Sequence, residues 1–106
     1  MEIFIKSCPT AQLAFVKVAA LVEGQGGNLT VIAEIMNTTD SDLEGVAVKV
    51  ANAIHPGGAI DETEVDIGFL APLARQTLTF KLPQRSEDTV LIDLIARHRG
   101  ARPSGQ

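Results

Sequence analysis

Few residues in this chain have the type and spacing that chemistry needs. There is one cysteine, Cys8, and there are two histidines, His55 and His98. A nucleophilic thiol needs a base or a cation beside it to hold it as the thiolate. Neither histidine is close to Cys8 in sequence, so Cys8 reads as an inert, partly buried thiol near a frayed N-terminus. No Gly-x-Ser-x-Gly elbow is present. Gly24-Gln25-Gly26-Gly27 is glycine-rich but lacks the Lys-Ser/Thr that completes a phosphate-cradling loop, and it reads as a hairpin loop. His55 and His98 have no cysteine pair to complete a zinc site. His55-Pro56 reads as an exposed turn, and His98, between Arg97 and Arg99, as a solvated residue at a strand end.

The carboxylates fall into two groups. Asp40, Asp42 and Glu44 superficially resemble part of a calcium loop, but the glycine and the closing glutamate of an EF-hand are missing. Hydrogen bonds from short polar side chains to their own turn are the better reading. Glu62, Glu64 and Asp66 alternate with Val65 and Ile67, so they share one strand face and would discourage sheet-edge pairing. Arg97, Arg99 and Arg102 form a basic cluster without aromatic stacking partners, a poor nucleic-acid signal. They suit solvating the tail, or pairing with the acidic strand of this chain or of a neighbour. These residues predict no enzyme, no cofactor and no metal site.

Composition narrows the class further. The chain has 106 residues, a net charge of −4, 45% hydrophobic residues, and neither Trp nor Tyr. That describes one soluble domain with enough apolar material for a core. The acidic balance argues against nucleic acid and anionic membranes as partners. A single cysteine cannot form an intrachain disulfide. The longest apolar run, Leu13 to Val22, is broken by Lys17 and is too short to span a bilayer. No signal peptide is evident, membrane insertion is not expected, and a cytoplasmic location is slightly favoured. The triplets Asn28-Leu29-Thr30 and Asn37-Thr38-Thr39 match the N-glycosylation pattern, which arises often by chance.

The elements that would position these groups follow a period of two. Leu29, Val31, Ala33 and Ile35 alternate with polar neighbours, as do Val46, Val48 and Val50, then Val65, Ile67 and Phe69, then Leu78, Phe80 and Leu82. Such runs are half-buried antiparallel strands. Glu23–Asn28, Asn37–Asp42, Pro56-Gly57-Gly58, Ala71-Pro72 and Pro83–Ser86 punctuate them, the rhythm of a sandwich or barrel. Residues 13–22 fit a strand better than a helix, because Gln12, Lys17 and Glu23 do not gather on one helical face. From Val90 to Ala96 the strand is apolar on both faces. Val90, Ile92, Leu94 and Ala96 lie on one side, while Leu91 and Ile95 flank Asp93 on the other. Either the chain's own N-terminal segment covers Leu91 and Ile95, or they meet a partner.

The stretch from Leu29 to Leu82 resembles the bacterial and archaeal immunoglobulin-like β-sandwiches of the FxLYD and CARDB type. Ile35-Met36-Asn37-Thr38-Thr39-Asp40 matches the polar turn after that family's second strand, and Gly45-Val46-Ala47-Val48-Lys49-Val50 the strand that follows. Gly58 matches a turn glycine. Leu70-Ala71-Pro72 and Gln76-Thr77-Leu78-Thr79-Phe80 match its proline turn and a strand ending in Phe. Adaptin-type ear domains show similar patterns. The chain departs from the family at Ala51-Asn52-Ala53-Ile54-His55, where a Tyr-Asp segment is usual, and at Leu73-Ala74, where glycine is. The resemblance implies a non-enzymatic adhesion, recognition or assembly module.

The expectation is therefore an all-β, immunoglobulin-like antiparallel β-sandwich of six to eight strands over residues 1–99, with a flexible tail over 100–106. Its expected role is interaction or assembly through a sheet face or edge strand, with a protein partner or as a homodimer, using Leu91, Ile95, Arg97 and Arg99. The alternative is a small-ligand or metal-binding accessory protein using His55 and nearby acids.

Overall fold

In a computed structural model of the chain, the described residues are 2–23, 28–52, 61–83 and 89–103. They form eight strands and no helix. In order these are β1 (Glu2–Cys8), β2 (Leu13–Glu23), β3 (Asn28–Asn37), β4 (Ser41–Asn52), β5 (Asp61–Leu70), β6 (Arg75–Pro83), β7 (Thr89–Arg97) and β8 (Gly100–Pro103). One sheet has the order β1-β7-β4-β5, with β8 also paired to β4; the other has the order β2-β3-β6. The two sheets face each other across a single apolar layer, the expected sandwich.

The alternating positions supply that layer. Leu29, Val31, Ala33 and Ile35 of β3 face Val46, Val48 and Val50 of β4 and Ile92, Leu94 and Ala96 of β7, all at 0–1% exposure. Leu78, Phe80 and Leu82 of β6 complete it. Residues 13–22 are a strand, and a bulge explains why their polar residues looked misplaced. Phe15 pairs Ile35 and Lys17 pairs Glu34, so Val16 is an extra residue. The bulge changes the parity of β2. Leu13 and Phe15 point inward before it, Val18 and Ala20 after it, and Lys17 turns outward beside Glu34.

A second irregularity corrects the reading of β5. Val65 and Ile67 pack on the core as expected, but Phe69 is 58% exposed and Leu70 takes the buried place. Gly68, at φ 82°, lies where the β4–β5 register shifts, and this backbone conformation, open to glycine, flips the alternation. The segment read as a loose tail is also corrected in part. Gly100–Pro103 form β8 and pair with Ser41–Glu44 of β4, continuing the line of β7 along the same strand. Residues 104–106 lie outside the described ones.

The turns at one pole of the sandwich are fixed by hydrogen bonds. Asn37 is fully buried. Its Nδ2 donates to Ser41 O (2.7 Å) and Leu70 O (3.0 Å), and its Oδ1 accepts from Thr39 N (2.9 Å) and Thr39 Oγ1 (2.7 Å). Its backbone joins the β5–β6 turn, donating to Ala74 O and accepting from Leu73 N. The polar cluster read as a self-bonded turn is such a turn, centred on Asn37. The same burial seals the Asn37-Thr38-Thr39 triplet against glycosylation in the folded chain, whereas Asn28 is exposed.

Candidate functional site

The candidate site lies on the outer face of the β1-β7-β4-β5 sheet. Registers fix what shares that face. Phe4 lies beside Leu91, Lys6 beside Asp93, and Cys8 beside Ile95 on the β1–β7 pair. Asp93, Ile95 and Arg97 of β7 lie beside Ala51, Lys49 and Ala47 of β4. These in turn face Glu62, Glu64 and Asp66 of β5. The predicted Leu91, Ile95 and Arg97 therefore form one row along β7. Arg99 follows at the join of β7 and β8, where its N donates to Glu44 O (2.8 Å).

β1 does not lie over Leu91 and Ile95. It pairs edge to edge with β7, extending the sheet instead of covering it. Leu91 is half-buried and Ile95 is 37% exposed, with Phe4 at 51% beside Leu91. Exposed apolar side chains thus stay open on this face, separated by the Lys6–Asp93 rung. Cys8, read as partly buried, is exposed at the end of β1. His55 and the Pro56-Gly57-Gly58 turn lie outside the described residues, as do the Gly24–Gly27 loop and Gln84-Arg85-Ser86.

At one end of this face is an open cleft of about 440 Å³ lined by Gly45, Ala47, Glu64, Asp66, Arg97, His98 and Arg99. Its floor is low because the central strand β4 carries its smallest side chains there. Ala47 is only 6% exposed beneath the longer side chains of β5 and β7. Gly45 has φ 63°, and a Cβ there would collide with the Arg99 side chain, which lies against it. Glycine is therefore required at this point both by conformation and by close approach.

The cleft has both signs of charge. Arg97 spans Ala47 to donate to Glu64 Oε1 at 2.8 Å, with both side chains well exposed. A pair so solvated is worth no more than about 1 kcal/mol and mainly fixes the side-chain positions. For Arg97 this is the expected pairing of a terminal arginine with the acidic strand. His98 is not the solvated residue expected from its flanking arginines. It is half-buried, its Nε2 is 2.9 Å from Gln12 Oε1, and its Nδ1 is buried without a partner.

Sequence reasoning found the acidic row, the arginines and their pairing, but not the cleft between them. Gly45, Ala47 and His98 were missed as site residues. The available signal was the small outward-facing residues Gly45, Ala47 and Ala51 on an otherwise valine-rich strand. Among the described residues, no group of three His, Cys, Asp or Glu side chains converges to hold a metal ion. No helix among them is long and apolar enough to cross a membrane.

No family model and no curated protein matches the chain. Among solved structures, it is similar to the trimeric lipoprotein SadB of Salmonella enterica, with a TM-score of 0.48 and 13% identity over 80% of this chain. It is also similar to the uncharacterized lipoprotein YajI of Escherichia coli, with a TM-score of 0.43 and 13% identity over 89% of this chain. The chain spans about half the length of each, 49% and 56% respectively.

Proposed function

We propose that this domain is a non-enzymatic interaction or assembly module. It binds a protein partner, a second copy of itself included, through the outer face of the β1-β7-β4-β5 sheet. One observation carries this reading. β7 buries Ile92, Leu94 and Ala96 completely in its own core, yet on the opposite face Ile95 is partly open to water, and so is Phe4 of β1 beside Leu91 at the other end of the same row. Exposed apolar side chains interleaved with Lys6, Asp93 and Lys49 on one sheet face suit a protein interface, in which the apolar contacts are buried and the charges select the partner. The resemblance to immunoglobulin-like recognition domains points the same way, although a fold by itself does not fix a function.

The homodimeric form is tested by sedimentation equilibrium of the wild type and of Ile95→Asp. The expected result is a reversible dimer at high wild-type concentration and at least a tenfold weaker association for the variant, since a buried carboxylate in the interface costs more than about 1.4 kcal/mol. A wild type that stays monomeric throughout removes the homodimer.

A second reading rests on the cleft, where the Asp66 carboxylate and the Arg99 guanidinium line one wall each and make no ion pair among the described residues. A small ligand with both an acidic and a basic group would satisfy them. Free amino acids at millimolar concentration should then raise the melting temperature, because a ligand that binds only the folded state stabilises it. An unchanged melt across such a panel removes this reading.

A further inference from the structure

We propose that β1 is an exchangeable strand: the edge of β7 that β1 fills within one chain also accepts β1 from a second copy, giving a strand-exchanged dimer. This goes beyond the face-binding reading and does not depend on it.

Several observations set β1 apart. Its ladder with β7 is the one parallel pairing among the described strands; every other is antiparallel. It pairs with β7 along its whole length, from Glu2 opposite Thr89 to Cys8 opposite Ile95, and with no other strand. The next strand, β2, belongs to the opposite sheet, so β1 and β2 are joined across the sandwich by the short Pro9–Gln12 turn.

β1 also contributes little to the core. No β1 side chain is among the buried core residues; Ile3 packs against them only in part, and Phe4, Ile5 and Cys8 are exposed. Ile92, Leu94 and Ala96 of β7 belong to the core cluster with residues of β2 to β6. Lifting β1 therefore breaks one ladder and little packing, so it costs less than global unfolding. It leaves β7 as an open edge with apolar residues on both faces, a template for another strand.

The hinge is built for such an opening. On its β2 side it is anchored, because Gln12 O accepts from Thr38 N (3.0 Å) and Thr38 Oγ1 (3.1 Å), and Gln12 Oε1 meets His98 Nε2. On its β1 side stands Pro9, which has no N–H to donate and a fixed φ. A short anchored hinge resists tight closure but spans easily when extended. An exchanged strand makes the same contacts as a closed one, so hinge geometry and concentration decide between the two forms.

The chain supplies its own reporter. Cys8 lies directly beside Ile95 on the outer face, with Cys8 exposed and Ile95 partly so. In Ile95→Cys, oxidation links residues 8 and 95 within one chain when β1 is closed, and between two chains when β1 is exchanged. The full chain is equilibrated reduced from micromolar to millimolar concentration, oxidised, and separated under denaturing, non-reducing conditions, with peptide mapping to identify the link. Ile95→Cys with Cys8→Ser gives the background. The expected result is an interchain 8–95 link whose ratio to the intrachain link rises about tenfold for each tenfold rise in concentration while monomer dominates, as mass action requires.

Intrachain links alone at every concentration overturn the proposal. If the protein is nevertheless dimeric by mass, the outer face alone holds the dimer. If no 8–95 link forms, Lys6→Cys with Asp93→Cys in a Cys8→Ser background tests the neighbouring register position. Failure of both pairs also overturns the proposal, because β1 is then not beside β7 in either form.

Discussion

Asn37 and Leu73 sit in the same corner of the molecule and act in opposite senses. Asn37 accepts two hydrogen bonds at Oδ1 and donates two from Nδ2, tying three chain segments together at a point with no access to water. Leu73 holds φ 59°, a left-handed conformation that costs a residue with a Cβ roughly 1 kcal/mol, and its side chain is 66% exposed. The turn imposes that conformation, because Leu73 N donates to Asn37 O and Ala74 N to Ala71 O. Asn37→Ala should therefore cost about 2–4 kcal/mol, because it removes all four of the Asn37 side-chain hydrogen bonds at a buried point. Leu73→Gly should add about 1 kcal/mol by removing strain without losing burial. Urea denaturation measures both; a neutral Asn37→Ala or a destabilising Leu73→Gly would contradict this account of the turn.

At the scale of the strand, bulges decide which residues face the core. In β2 the extra residue is Val16, 41% exposed. Deleting it should leave Leu13, Phe15, Val18 and Ala20 pointing inward along a regular strand, with a stability change within about 1 kcal/mol. Deleting Ala19 instead should flip one half of the strand and expose part of the core, at several times that cost. Comparing the two denaturation midpoints checks this, and equal effects would mean that the register of β2 is not set by its inner row. Alternation was legible at β3 and β6, whose mutual pairing has no register shift, and at Val46, Val48 and Val50 of β4. It failed at Phe69, because a glycine with positive φ leaves no mark in a hydrophobic pattern.

For the whole molecule, the question is what an acidic sandwich does with the apolar surface it does not bury. Ile92, Leu94 and Ala96 show that β7 is needed inside, and the partial exposure of Ile95 and Phe4 shows that one domain cannot cover its outside. If two copies meet there, the melting temperature should rise with protein concentration, because association stabilises only the folded chain. In Ile95→Asp that dependence should disappear if the face alone holds the dimer, and persist if exchanged β1 strands hold it. Calorimetry over a wide concentration range distinguishes these outcomes, and a melt independent of concentration in the wild type would rule out self-association by either route.

The sequence by itself determined the all-β class, since period-two alternation with regular turn signals makes strands that each bury one apolar row, in a sandwich or a barrel. It also determined that β7 has two apolar faces, and that Glu62, Glu64 and Asp66 share a solvated one. Only the tertiary structure decided the rest. Which strand lies beside β7, and in what direction, depends on backbone ladders between segments far apart in the chain. The cleft between the acidic row and Arg97, His98 and Arg99 exists because β4 places small residues between two strands that are distant in sequence. No local pattern records that neighbourhood. The same is true of β1, whose parallel seat against β7 follows from the crossing of the chain between sheets at Pro9–Gln12.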